Sequence, residues 1–479
     1  MMDETEVYTP RVLKAHRAGD MFIHHLDKAW IGYSTGIDAG EPGVVDGAGS
    51  LDEYLSKVVG TVRRLGDEWS HRVTVQGLER GASQWLTDED GGDGEAVGRF
   101  ASELNGLGFE VTLSLNDYDQ SSSFARLLVK ELEKGLNLGR MAPAILYHLE
   151  SGTDMASEPH RGFVSLAYRY GNVEFAGNLT GQGRQSPAGY VLGDPADGGR
   201  LGVATLNLPR LGHEARNEED FYVRLGDLLG IAIEALESKR RAVEELLKSG
   251  RLPETNRIHG SIEGHRSAIT VVGMNEALLN LIDAGVGHVA GKAVTYKVLE
   301  YIGERVQEAQ KEHDHPISLE SYPCMEAGAM LATKDCERYG DAYAQGEDAL
   351  YYTAASELPP GHGDDLWQAL EHQKRLQSIY GGSTMLEVHL RRGIPYRDEC
   401  GLLVRRIMGQ GFGEIKVSPL FSLCPEDGYL YGEAPSCPTC GREAVTYTWV
   451  DGRPRPLNTV GEGLKEAHRQ RESHDIKSA

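Results

Sequence analysis

The stretch Leu423–Arg455, LCPEDGYLYGEAPSCPTCGREAVTYTWVDGRPR, decides how the rest of the chain is read. It holds Cys424, Cys437 and Cys440, three of the six cysteines in the 479 residues. Cys437 and Cys440 form a Cys-Pro-Thr-Cys-Gly knuckle, a spacing that lets two thiolates face one tetrahedral Zn²⁺ at about 2.3 Å. A structural zinc site takes four ligands. Cys424 gives a third, and Asp427 stands where a fourth is needed, as an oxygen donor weaker than Cys or His. The alternative is three buried thiols without metal, which the surrounding Gly, Pro and polar residues do not favour. Twelve residues past the knuckle lies a polar turn, Val450–Pro456, centred on Gly452.

Working outward, composition sets bounds. The chain is long enough for one large α/β barrel or for two to three domains. It carries 72 Asp and Glu against 49 Lys and Arg, a net charge of −23. That balance argues against a nucleic-acid-binding surface, which needs clustered cations. No run of 18 apolar residues is present, so no membrane-spanning helix is expected. The acidic start MMDETEVYTP lacks the apolar core of a signal peptide. Six cysteines, none before Cys324, do not make a disulfide framework, and a reducing cytoplasm is expected.

Strands and helices alternate in the reading. Apolar spacing predicts helices over Leu51–Leu65, Ser122–Lys134, Glu218–Lys248 (ended by Gly250), Asn275–Ala284, Lys292–Lys311, Asp364–Ser378 and Asp398–Gly409. Strands are predicted at Met21–His24, Phe109–Leu115, Ala142–Leu149, Leu201–Pro209, Ile317–Tyr322, Thr384–Leu390 and Glu414–Pro419. Phe163–Tyr170 and Val173–Leu179 read as a hairpin turning at Gly171-Asn172. Thr180–Arg200 reads as loop. This alternation points to a closed or doubly wound α/β sheet.

Three further groups of residues invite chemistry. His16, His24, His25 and Asp27 resemble a metal cluster, although strand geometry sends His24 and His25 to opposite faces. Gly181–Gly199 resembles a phosphate loop but lacks the Gly-Lys-Ser/Thr ending. Cys324, with Glu326 two residues on, sits at the end of a predicted barrel strand, where catalytic residues gather. A lone buried thiol is otherwise a small hydrophobe.

Taken in order, several segments resemble the anaerobic (class III) ribonucleotide reductases, which are glycyl-radical enzymes. They are Ala15–Asp27 (AHRAGDMFIHHLD), Gly202–Glu214 (GVATLNLPRLGHE), Gly273–Ala277 (GMNEA), Tyr380–Thr384 (YGGST) and Ser418–Gly441 (SPLFSLCPEDGYLYGEAPSCPTCG). The resemblance implies a ten-stranded α/β barrel over residues 1–420 with a central loop near 180–200. A C-terminal segment, 421–479, would carry the zinc knuckle (Cys424, Asp427, Cys437, Cys440) and the radical glycine, Gly452. A glycine suits that role because a Cα radical without a side chain flattens and delocalises over both flanking peptides. The resemblance further implies reduction of ribonucleoside triphosphates, an iron–sulfur, S-adenosylmethionine-dependent activase as partner, and a homodimer.

The chain departs from the family at key positions. The family's radical-carrying cysteine on the central loop has no counterpart in Gly181–Arg200. Its second cysteine is absent from Gly32–Gly36. Trp449 and Arg453 replace the Arg and Tyr that flank the radical glycine, and no counterpart of the family's N-terminal ATP-binding domain is expected. Cys324, at a position matching the family's "STPAE" segment with Glu326 as its glutamate, is the thiol left to reach the cavity. Two alternatives follow: a non-catalytic regulatory or nucleotide-binding relative, and a glycyl-radical enzyme with a different substrate.

Overall fold

The structure, a computed structural model, describes residues 3–86, 93–116, 123–150, 152–177, 199–340, 342–362, 366–390 and 397–471. The expected central loop, apart from Gly199 and Arg200, lies outside the described residues.

Eleven strands share one sheet: β1 (Met21–Ile23), β2 (Gly32–Asp38), β3 (Trp69–Gln76), β4 (Glu110–Asn116), β5 (Ala144–Leu149), β6 (Val173–Gly177), β7 (Gly199–Asn207), β8 (His265–Val272), β9 (Ile317–Glu320), β10 (Leu386–Leu390) and β11 (Glu414–Pro419). Strands β2 to β6 are mutually parallel. So are β7 to β9, and β10 with β11. These groups meet antiparallel at β2–β7 and at β6–β11. The two remaining edges, β9 and β10, are drawn together by Ser321 N donating to Ser383 O (3.1 Å) and Gly382 N to Leu319 O (3.0 Å). Gly382 permits this approach, since a Cβ there would lie 2.7 Å from Glu320 Cγ. The result is the expected ten-stranded α/β barrel, with β1 added on β7.

Period-two alternation sorts each strand between two environments. Val73 and Val75, Val111, Leu113 and Leu115, Val173 and Phe175, and Ile415 and Val417 all join the apolar core shared with the helices. The residues between them are Arg72, Glu110, Thr112, Glu174 and Lys416, and these fill the barrel. Burial on both faces requires that such charges be paired. They are: Arg72 meets Glu110 at 3.0 Å, Lys416 meets Glu174 at 3.2 Å, and Arg200 meets Glu320.

The Glu218–Lys248 helix has the predicted bounds. Asn217 caps it by accepting from Asp220 N, three acids occupy its first turn, and Gly250 follows at φ 71°. Its Leu225, Leu228, Leu229 and Ala232 pack in one core with Ala204 and Leu206 of β7.

Two readings are corrected. Phe163–Tyr170 is not a strand but most of a helix, His160–Tyr170, whose Phe163, Leu166, Ala167 and Tyr170 are buried at helical spacing. The positive φ expected of Gly171 is real, at 64°, yet it closes that helix, with its N–H donating to Ala167 O. Pro209 likewise starts a helix, Leu208–Glu214, rather than simply ending a strand. A helix at Met325–Tyr339 follows β9.

A second sheet is built by β12 (Phe421–Cys424), β13 (Gly428–Tyr431), β14 (Val445–Val450) and β15 (Arg453–Pro456), in the order β13-β12-β14-β15, all antiparallel. Among the described residues no helix is long and apolar enough to cross a membrane.

Candidate functional site at the glycine turn

Val450 pairs with Arg453 across β14 and β15, leaving Asp451-Gly452 as a two-residue loop. Both residues have positive φ, 49° and 70°. That is the type I′ geometry for which Asp-Gly is a preferred sequence, because its twist matches the flanking strands. The turn is packed against the barrel wall. A Cβ on Gly452 would lie 2.8 Å from Met385 Cε, 3.3 Å from Met385 Sδ and 3.4 Å from Tyr322 Oη.

Three residues hold the turn in place. Asp451 accepts from the backbone N–H groups of Cys324 and Met325, both at 2.9 Å, and so caps the Met325–Tyr339 helix from a distance in sequence. Burial pushes its carboxyl up to about 6 against the pull of these amides. Arg453 reaches into the barrel to Glu110 (3.1 Å), Glu174 (3.3 Å) and Thr112 Oγ1 (3.1 Å). Burial opposes charge on Glu110, but His71, Arg72 and Arg453 hold its carboxyl well below the usual range. Trp449, fully buried, donates from Nε1 to Pro419 O at 2.9 Å and lies under Lys416, 5.0 Å from the ring centroid. Its indole fills the space a side chain would need at Gly171, where a Cβ would be 2.3 Å from Cη2.

Arg453→Met keeps the aliphatic stem and removes the guanidinium from two buried carboxylates. Glu110 retains Arg72 and, at 3.8 Å, Arg455, and Glu174 retains Lys416, so the cost falls at or below the lower end of the 3–5 kcal/mol range for breaking a buried pair, about 2–3 kcal/mol. Urea unfolding measures it. An unchanged midpoint would remove Arg453 as the latch.

Beside the turn is a cavity of about 420 Å³. Tyr322, Cys324, Met385 and Asp451 line it together with Glu357, Glu387 and Arg471. The structure thus brings Cys324 to the wall that carries the glycine turn. Burial, with the Asp451 and Glu357 carboxylates nearby, pushes the Cys324 thiol well above its usual value and keeps it as S–H, the form that can give up a hydrogen atom. Glu357 is pushed up to about 7 by burial and by Glu387. Arg471 donates from Nη2 to Trp449 O at 2.7 Å. Glu326 is placed elsewhere: its side chain is exposed on the first turn of the Met325–Tyr339 helix, outside the cavity walls.

The knuckle residues also meet. One ligand atom each from Cys424, Asp427, Cys437 and Cys440 lie within 4.8 Å of one another. Cys424 Sγ is 3.5 Å from Cys440 Sγ, and Asp427 Oδ2 is 3.1 Å from Cys437 Sγ. Tetrahedral bonds of about 2.3 Å put sulfur–sulfur edges at roughly 3.8 Å, so the set fits one Zn²⁺. Glu426 N and Asp427 N donate to Cys424 Sγ, and Thr439 N to Cys437 Sγ, as thiolate ligands require. These four residues would hold the ion, whose contribution would be structural. Among the described residues no second group is close enough to ligate. His16 Nδ1 accepts from Ile23 N, His24 bonds Thr205, and His25 bonds Ser70, so the three imidazoles go separate ways.

Sequence reasoning named Arg453 only as a departure from the family and did not single out Asp451, Tyr322, Met385, Glu357, Glu387 or Arg471. The Asp-Gly pair between VTYTWV and RPRP carried the hairpin signal. Nothing local marks residues that meet only when the barrel closes.

Comparison with known proteins agrees with this geometry. A stretch of 176 residues is 29% identical to the anaerobic ribonucleoside-triphosphate reductase of Haemophilus influenzae, covering 33% of this chain and 24% of that protein. That match spans about a quarter of the relative's length. A solved anaerobic ribonucleotide reductase superposes with a TM-score of 0.78 at 16% identity, covering 99% of this chain and 84% of the other. The Thermotoga maritima anaerobic ribonucleotide reductase in complex with dATP and CTP gives 0.78 at 16% identity over 95% and 87%. Hydroxyproline dehydratase from Clostridioides difficile gives 0.57 at 9% over 98% and 84%. At these identities the likeness speaks for the fold alone. The family model for anaerobic ribonucleoside-triphosphate reductase matches residues 106–474, and the chain belongs to that family.

Proposed function

We propose that this chain is a glycyl-radical reductase of ribonucleotides in which Gly452 stores the radical and Cys324 supplies the thiol that meets the substrate. One observation carries the reading: Cys324 and Asp451, the turn residue next to Gly452, line a single cavity and are joined by the 2.9 Å bond from Cys324 N to Asp451, while Gly452 itself packs on Met385 and Tyr322 of the same wall. A radical on Gly452 supplies a hydrogen-atom acceptor held in reserve. The residues around it orient the turn through Asp451 and Arg453, keep Cys324 protonated, and shield the site behind Tyr322 and Met385. An iron–sulfur, S-adenosylmethionine-dependent activase is required, and it must reach Gly452.

Anaerobic treatment with such an activase is expected to give an electron paramagnetic resonance doublet, split by the remaining α-hydrogen. Protein grown on α-deuterated glycine is expected to lose that splitting. Absence of an organic-radical signal sinks the reading. Cys324→Ser is expected to keep the doublet and abolish turnover, and unchanged turnover rejects the role given to Cys324.

A second reading, a glycyl-radical enzyme with a different substrate, draws on the cavity's charge. Three carboxylates, Glu357, Glu387 and Asp451, face one guanidinium, Arg471, and Asp451 already occupies helix amides that would otherwise receive an anion. Such walls suit a hydroxyl-rich or cationic molecule better than a triphosphate. Turnover assays with ribonucleoside triphosphates on activated protein separate the two, because substrate-dependent formation of a deoxyribonucleotide excludes the second.

A further inference from the structure

A second cavity, of about 320 Å³, lies between the barrel and the four-stranded sheet that carries the glycine turn. We propose that it binds a small anion built on a planar ring, of the nucleoside-monophosphate class, and that this ligand clamps the glycine hairpin to the barrel.

Charge is the first argument. The chain as a whole has 72 acidic against 49 basic residues, yet these walls reverse the balance: Arg140, Lys416, Arg453 and Arg455 against Glu110. Glu110 is already engaged by Arg72 (3.0 Å) and Arg453 (3.1 Å), so it does little to offset the arginines at the rim. Arg140 is exposed, and the Arg455 side chain is 57% exposed and 3.8 Å from Glu110, so both can turn toward an incoming anion. The cavity beside Gly452 has the opposite balance, with Glu357, Glu387 and Asp451 against Arg471.

The walls also supply apolar and hydrogen-bonding surface. Tyr429, Phe421 and Tyr447 form a stack along the second sheet, with centroids 5.6 and 4.9 Å apart and interplanar angles of 19° and 12°. Phe109 lines the same space. Asn172, 8% exposed, is part of the wall, and neither Nδ2 nor Oδ1 of its amide has a hydrogen-bond partner. Leaving both halves of a buried amide unmade costs about 1–3 kcal/mol per group. The paired donor and acceptor on the edge of a heteroaromatic ring would satisfy them. The volume lies at the small end of ligand sites, roughly 300–1,000 Å³.

Position gives the ligand its consequence. Arg140 precedes β5 of the barrel, whereas Arg455 lies on β15, three residues after Gly452. An anion held by both bridges the hairpin to the barrel and opposes its release.

Titration calorimetry on the full chain, without activase, tests this using adenosine monophosphate, adenosine and inorganic phosphate. Adenosine monophosphate is expected to bind at one site, with adenosine and phosphate each much weaker. Arg140→Glu and Arg455→Glu are each expected to weaken it by roughly tenfold or more, the worth of a charge-assisted hydrogen bond. Both side chains are solvent-facing, and unchanged unfolding midpoints confirm that the fold survives. Hydrogen exchange at Trp449–Arg455 is expected to slow when the ligand is bound. No binding, binding indifferent to both substitutions, or phosphate binding as well as the nucleotide overturns the proposal. None of these outcomes bears on the radical, so the functional reading stands or falls separately.

Discussion

Gly452→Ala is expected to abolish both the radical signal and turnover while costing the fold only about 1–2 kcal/mol. The structural part has two sources. An L-residue at φ 70° carries about 1–2 kcal/mol of backbone strain, and the new Cβ would lie 2.8 Å from Met385 Cε. Met385 is flexible and its methyl end can move, so the contact adds little. Gly452→Asn separates backbone from chemistry, because Asn tolerates the left-handed region better than other residues. If the glycine served only the turn, Asn would restore much of the activity. If it holds a planar Cα radical, Asn is expected to be as inactive as Ala while the protein melts near the wild-type midpoint. Turnover above background in either variant would dismiss Gly452 as the storage site.

The turn shows where sequence reading succeeds and where it stops. The Glu218–Lys248 helix and the Glu414–Pro419 strand had the predicted bounds because local rules agree with the fold there: an Asn cap, acids in the first turn, a glycine just past the end. Phe163–Tyr170 was misread because its aromatic and β-branched content suits a strand and Gly171-Asn172 suits a hairpin. Helical burial of Phe163, Leu166, Ala167 and Tyr170 overrode both signals. The Met325–Tyr339 helix was missed because MEAGAMLATKDCERY has a weak apolar stripe, and its start is capped by Asp451, 126 residues away from Met325. Arg72, Glu110, Glu174 and Lys416 were invisible for a different reason. A charge at alternate strand positions reads the same whether it faces water or the inside of a barrel. Only closure pairs Arg72 with Glu110 and opens room for Arg453 between Glu110 and Glu174.

Removing the metal from the knuckle, or one of its ligands through Cys437→Ala, is expected to unravel the C-terminal sheet and take the glycine turn with it. The cluster ties the end of β12, at Cys424, to the long connection between β13 and β14. That tie sets where β14 begins, and β14 meets β12 through only three pairings, Phe421–Tyr447, Ser422–Thr446 and Leu423–Val445. Structural Zn²⁺ contributes on the order of 10 kcal/mol to the fold of a small site, far more than three pairings supply. Without the ion nothing ties Cys424, Asp427, Cys437 and Cys440 to one another, and the connection opens. Trp449 then remains as the main anchor of β14, through Pro419 O and the space over Gly171. Purified protein is expected to carry about one zinc per chain, Cys437→Ala close to none, and Asp427→Cys to hold the ion more tightly because a thiolate suits Zn²⁺ better than a carboxylate. Hydrogen exchange is expected to quicken first over Cys424–Gly441 and then over Asp451–Arg453, with the glycine doublet falling in proportion to zinc lost. A doublet that survives complete removal of the metal would mean that Trp449, Asp451 and Arg453 hold the turn unaided, and that the knuckle braces something else.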